Sequence, residues 1–192
     1  MVPCLDAGST PAISTAVQMR ANHILNNDNM TRKEIIVATC LLVLFGTGMH
    51  FVHHLPFFNR FWGCIFPVKE SVMAHMKMVF YPMFLLGLYL AVTRRDVSAV
   101  GAALLGGLAV MPLIVAAFFA YWVFVRRELM AVDIAIYILA MAGAVWLAGR
   151  WLMSPFVRRG RWLWVAAAVL GMGLIGVLTY HAPDWIIFTD FG

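Results

Sequence analysis

His50, His53 and His54 stand at i, i+3 and i+4, so on a helix they share one face, and two imidazoles at i and i+4 have the spacing with which a helix holds one metal ion. Further on, Phe66-Pro67-Val68-Lys69-Glu70-Ser71-Val72-Met73-Ala74-His75 reads as a helix start. Pro67 suits the first turn, Glu70 sets a carboxylate near the positive end of the helix dipole, and Ser71 and His75 at i and i+4 share a face. The chemistry such a set could do is metal-assisted hydrolysis. His50, His54 and His75 would bind zinc, with His53 and His181 as alternates, and a water would take the fourth position. The metal would lower that water's pKa, Glu70 or Asp133 would act as base, and Ser71 would hydrogen-bond an oxyanion or orient a ligand. The same residue types also suit a proton or cation path through a carrier, or a non-catalytic membrane component of undefined activity that binds a partner protein or lipid headgroups through this His-rich face. Each has a bland reading as well. His53 and His54 fit plain headgroup contact, and Glu70 fits a helix-start charge paired with Lys69 or Lys77. Asp133 fits an interfacial acid paired with Arg126 or Arg127, and Asp184 and Asp190 fit solvated acids in the tail.

The elements that must position these groups are apolar. Of 192 residues, 63% are hydrophobic and 12% are charged, against roughly 45–50% and about 25% in a soluble domain. Mean hydropathy is +0.87. These figures exclude a disordered chain, a nucleic-acid binder and an ordinary cytosolic enzyme. They point to an all-α, polytopic membrane helix bundle. A bilayer core about 30 Å thick needs roughly 20 apolar residues per helix. Five runs qualify, at about Ile35–Leu55, Val72–Val92, Ala99–Val125, Met130–Gly149 and Trp162–Tyr180. The third contains Pro112, where a tilt or kink is expected. Gly101, Gly106 and Gly107, and Gly171, Gly173 and Gly176, permit close helix contact. Trp and Tyr gather at run ends as an aromatic belt. No internal repeat marks an inverted-repeat transporter.

Five spans divide the charge between two faces. Odd-numbered spans end where even-numbered spans begin, so His50, His53, His54, Glu70, Ser71, His75, Asp133, His181, Asp184 and Asp190 fall on one side, whatever the orientation. His23 is the exception among the histidines. Nine of the 14 Lys and Arg residues fall on the opposite side. The positive-inside rule then places the N-terminus in the cytoplasm and the C-terminus and polar groups outside an inner membrane. The implied partners are the bilayer and anionic lipid headgroups at the Arg-rich loops, with no nucleic acid; an oligomer is compatible with the sequence and could hide a pore. Residues 1–33 read as a flexible polar arm ahead of one transmembrane domain over 34–192. Met30-Thr31-Arg32-Lys33-Glu34 leads straight into the first run and reads as an alternative start. Cys4, Cys40 and Cys64 show neither a CxxC spacing nor an even-numbered disulfide framework.

Gly48-Met49-His50-Phe51, followed by Phe66-Pro67-Val68-Lys69-Glu70-Ser71-Val72-x-x-His75-x-Lys77, resembles the signature of an uncharacterised bacterial integral-membrane family, roughly G-x-x-x-H-F and then P-V-N-E-S-V-W-E-H-x-K. Asp133-Ile134, Thr179-Tyr180-His181-Ala182-Pro183 and Phe188-x-Asp190 are similar to weaker motifs of that family. Lys69 stands where the family has Asn, and Met73 and Ala74 stand where it has Trp and Glu. The resemblance covers about Met30 to the end and implies Glu70, Ser71, His75, His50 and Asp133 as shared polar residues, with no assigned activity. More locally, Ser71-x-x-x-His75 and His50-x-x-x-His54 are similar to the site spacing of alkaline ceramidases and adiponectin-receptor-like zinc hydrolases. Those have seven spans and the opposite order along the chain.

Overall fold

A computed structural model describes residues 29–52, 60–66, 72–127 and 129–181. Within them the chain forms seven helices and no strand. They are α1 (Arg32–Phe51), α2 (Arg60–Gly63), α3 (Val72–Arg94), α4 (Ser98–Val125), α5 (Met130–Trp151), α6 (Pro155–Arg159) and α7 (Arg161–Tyr180).

Local sequence explains the helix ends. Thr31 caps α1: its Oγ1 accepts from the Glu34 N–H at 3.2 Å, while the Thr31 N–H donates to Glu34 Oε2 at 2.6 Å. This reciprocal box satisfies two otherwise orphaned donors. α3 ends on Arg95 and α4 on Arg126, both in the left-handed region at φ 53° and 57°. The turn after α3 closes with the Asp96 N–H on the Ala91 carbonyl, and α4 closes with the Arg126 N–H on that of Trp122. Glycine is the usual residue at such a cap. Here arginine takes it, and its charge complements the negative end of the helix dipole.

Among the described residues, four helical stretches are long and apolar enough to cross a membrane: His75–Arg94, Ser98–Val125, Met130–Trp151 and Arg161–Tyr180. These match the second to fifth runs. The first run forms α1, whose 20 residues open with Arg32, Lys33 and Glu34 and so leave a shorter apolar length. Its expected end at Leu55 lies outside the described residues, as does most of the expected N-terminal arm.

Helix α4 is the hub. It packs on α3, α5 and α7, while α1 covers α3 and α5 from the other side. Small residues bring the backbones together. A Cβ on Gly87 of α3 would meet the Val100 Cα of α4 at 2.9 Å, and one on Gly106 of α4 would run into the Ala144 carbonyl of α5. Without a hydrophobic drive between helices in lipid, close packing of this kind supplies the association energy. One core joins Val79, Met83 and Leu86 to Ala102, Ala103 and Val110 and to Met141, Ala144 and Val145. A second joins Met49, Phe80 and Tyr81 to Leu104, Ala168 and Ile175. Large apolar residues such as Leu113, Leu139, Leu163 and Leu170 point outward, as a lipid-facing surface requires.

The packing confirms alternating helix directions. Glu34, at the start of α1, pairs with Arg94, at the end of α3, at 3.1 Å. Asp96, between α3 and α4, lies 3.7 Å from Arg158 of α6. The bundle therefore has an Arg-rich end, holding Arg32, Lys33, Arg94, Arg95, Arg150, Arg158, Arg159 and Arg161. Its other end gathers the tails of α1, α4 and α7 and the heads of α3 and α5.

Candidate functional site at the polar end

Tyr137 of α5 sets the register of the three helices beneath this end. Its hydroxyl lies 3.3 Å from both the Leu42 carbonyl of α1 and the Met78 carbonyl of α3. Gly46 makes room for it, since a Cβ there would overlap the phenol oxygen and lie 3.0 Å from the Met78 carbonyl. Levels now follow from the helical rise of 1.5 Å per residue. His50 is four residues beyond Gly46 in α1, His75 three residues before Met78 in the antiparallel α3, and Asp133 four residues before Tyr137 in α5. All three positions thus lie about 4–6 Å from that layer toward the polar end, within one helical turn of a common depth. The spacings of three and four also keep His75 and Asp133 on the helix faces that carry Met78 and Tyr137.

The individual groups are distinct. His75 is half-buried in the first turns of α3. Asp133 is half-buried, and its Oδ1 accepts from the Tyr121 hydroxyl at 2.6 Å, which ties the head of α5 to the tail of α4. The expected structural partners, Arg126 and Arg127, are not what holds it; Arg126 lies over the Trp122 ring, 5.2 Å from its centre. His181 is exposed and closes α7 through its backbone N–H to the Val177 carbonyl. His50 lies in the last turn of α1, one residue after the buried Met49. His53, His54, Glu70, Ser71, Asp184 and Asp190 lie outside the described residues. Among the described residues, no three His, Cys, Asp or Glu side chains gather as a metal ion would require. The zinc set of His50, His54 and His75 extends beyond those residues.

Two further polar groups lie just below. Lys77 is 3% exposed and donates to the Gly63 carbonyl at 2.8 Å. Tyr81, one turn on and on the same face, donates to the Cys64 carbonyl at 2.9 Å. Together they clamp the short α2 turn against α3. Cys64 also faces α7, where its Sγ lies 3.6 Å from the position of a Cβ on Gly176. Sequence reasoning placed Lys77 only as one more polar residue, and it missed Tyr81 and Tyr137. The available signal was spacing: Lys77 and Tyr81 at i and i+4, and a lone tyrosine inside an otherwise apolar run.

The fold and its long apolar helices define a polytopic, all-α membrane protein. The chain belongs to the family of unknown function (DUF6512), whose model matches residues 23–191. That agrees with the uncharacterised family expected from the motifs. No curated protein and no solved structure shows significant similarity to it.

Proposed function

We propose that this is a multi-pass membrane protein that binds its ligand at the polar end of the bundle, from one side of the bilayer. A zinc ion held by His50, His54 and His75 is the first ligand to test. A metal-activated water acting on a lipid or amphiphile, with Asp133 or Glu70 as base and Ser71 beside it, is the activity such a site would support. The observation that carries this reading is the common depth of His50, His75 and Asp133 above the Tyr137 layer.

A carrier or channel within one chain has less support. Beneath the polar end the helices close on Val79, Met83, Ala102, Ala103, Met141, Ala144 and Val145, all at most 1% exposed. A proton or ion path needs polar groups at such depths. The Arg-rich end is assigned to the cytoplasm by the excess of basic residues there.

Elemental analysis of the purified protein, equilibrated with zinc and passed through a desalting column, tests the metal reading. Stoichiometric zinc that His75→Ala releases is the expected result. Zinc absent from the wild type, or unaltered by His75→Ala, removes the metal and hydrolase reading. Zinc-dependent or proton flux in liposomes would favour transport instead.

A further inference from the structure

A cavity of about 480 Å³ opens between α1 and α3 at the Arg-rich end, remote from the polar site. Its walls include Ala38 and Leu41 of α1 and Leu85 and Tyr89 of α3, and its mouth carries Lys33 and Glu34. We propose that this groove binds one acyl chain of an anionic phospholipid from the leaflet on the Arg-rich side, with the phosphate held by the cations at the mouth.

Depth selects the occupant. The lining runs along α1 from Lys33 to Leu42, about 14 Å at 1.5 Å per residue. That is close to one leaflet, half of a hydrocarbon core about 30 Å thick. A helix of a second copy would need to span the whole core, whereas an acyl chain entering at headgroup level ends near the midplane. Charge selects the headgroup. Lys33 lines the mouth, and Arg32 and Arg95 are exposed at the same end of the bundle. Glu34 is already engaged by Thr31 and Arg94, so it does not neutralise them. Basic side chains at this level attract anionic lipid. Groove walls that are themselves largely outward-facing, with Leu41 61% and Tyr89 64% exposed, leave the chain accessible from the surrounding bilayer.

Native mass spectrometry of the full chain, released from micelles containing equal phosphatidylglycerol and phosphatidylcholine, tests the site. One retained phosphatidylglycerol per monomer, in preference to phosphatidylcholine, is expected. Lys33→Gln, a change at an exposed residue, should weaken that retention about fivefold, whereas Arg161→Gln, on the same face but outside the groove, should leave it unchanged. Ala38→Trp, which fills the groove, should abolish it. Equal retention of the two lipids, equal effects of Lys33→Gln and Arg161→Gln, or a dimer in place of the lipid complex that Ala38→Trp disrupts would each overturn the proposal. None of these outcomes depends on the polar end or on zinc.

Discussion

Replacing Gly46 by alanine puts a methyl group where the Tyr137 phenol oxygen lies, with the Tyr137 Cζ and the Met78 carbonyl each 3.0 Å away. Overpacking of this sort costs about 1–3 kcal/mol, while the better helix propensity of alanine returns about 1 kcal/mol. Tyr137→Phe alone removes a hydroxyl whose two contacts are both long, at 3.3 Å. Its cost is about 0.5–1 kcal/mol, because the Leu42 and Met78 carbonyls already serve their own helices. In the double variant the overlapping oxygen is gone, so the added methyl meets only the ring edge and the Met78 carbonyl. Gly46→Ala should therefore cost markedly less in the Tyr137→Phe background, with a coupling of about 1–2 kcal/mol in the stabilising sense. Equilibrium unfolding in mixed detergent micelles, followed by circular dichroism across the four-protein cycle, measures it. Additivity within about 0.5 kcal/mol would refute the register lock at Tyr137, and with it the levels assigned to His50, His75 and Asp133.

Other consequences follow from single contacts. Backbone hydrogen bonding from Thr31, helped by its hydroxyl and by Arg94 and opposed by desolvation, holds the Glu34 carboxyl below its usual range. The stabilisation from that carboxylate is therefore present above the unfolded glutamate pKa of about 4.3 and is lost as pH falls through the lower folded value. Thr31→Ala keeps the backbone N–H on the Glu34 carboxylate, so it should cost about 1 kcal/mol while leaving most of this acid limb of the thermal-stability profile in place. Arg126→Gly should relieve a left-handed backbone worth about 1 kcal/mol. Part of that gain is offset by the lost Trp122 contact, so a small rise in melting temperature is expected, and a clear fall would refute the cap reading. Lys77→Met should loosen the α2 turn, so that Cys64, with the other cysteines removed, reacts with a maleimide several-fold faster; an unchanged rate would show that Lys77 does not clamp it. Asp133→Asn should leave the Tyr121 hydrogen bond in place but weaken any cation binding at the polar end, read by competition with zinc.

The long apolar runs made the bundle legible. Ala99–Val125 and Met130–Gly149 appear as α4 and α5 within a residue or two, because nothing inside them except Pro112 competes with helix in a membrane. The first run was harder: Arg32, Lys33 and Glu34 enter α1 itself, where the Thr31 box draws them in, so helix and apolar run do not coincide. That His50, His75, Asp133 and His181 fall at one end of the bundle followed from alternation alone. What pairs with what did not. Asp133 is held by Tyr121 rather than by a basic residue, since Tyr121 lies in the last turns of α4, within reach of the head of α5. The Tyr137 lock depends on Gly46 in a helix ninety residues away in sequence, and no local pattern announces such a contact.

The functional proposal for the polar end rests on His50 and His75 meeting at one depth on neighbouring antiparallel helices. In a cysteine-free background, His50→Cys with His75→Cys can be treated in membranes with a short thiol-to-thiol cross-linker, beside His50→Cys with Arg94→Cys as the opposite-end pair. Rapid cross-linking of the first pair and none of the second is the expected result. A folded protein in which His50→Cys with His75→Cys stays uncross-linked would contradict the shared site.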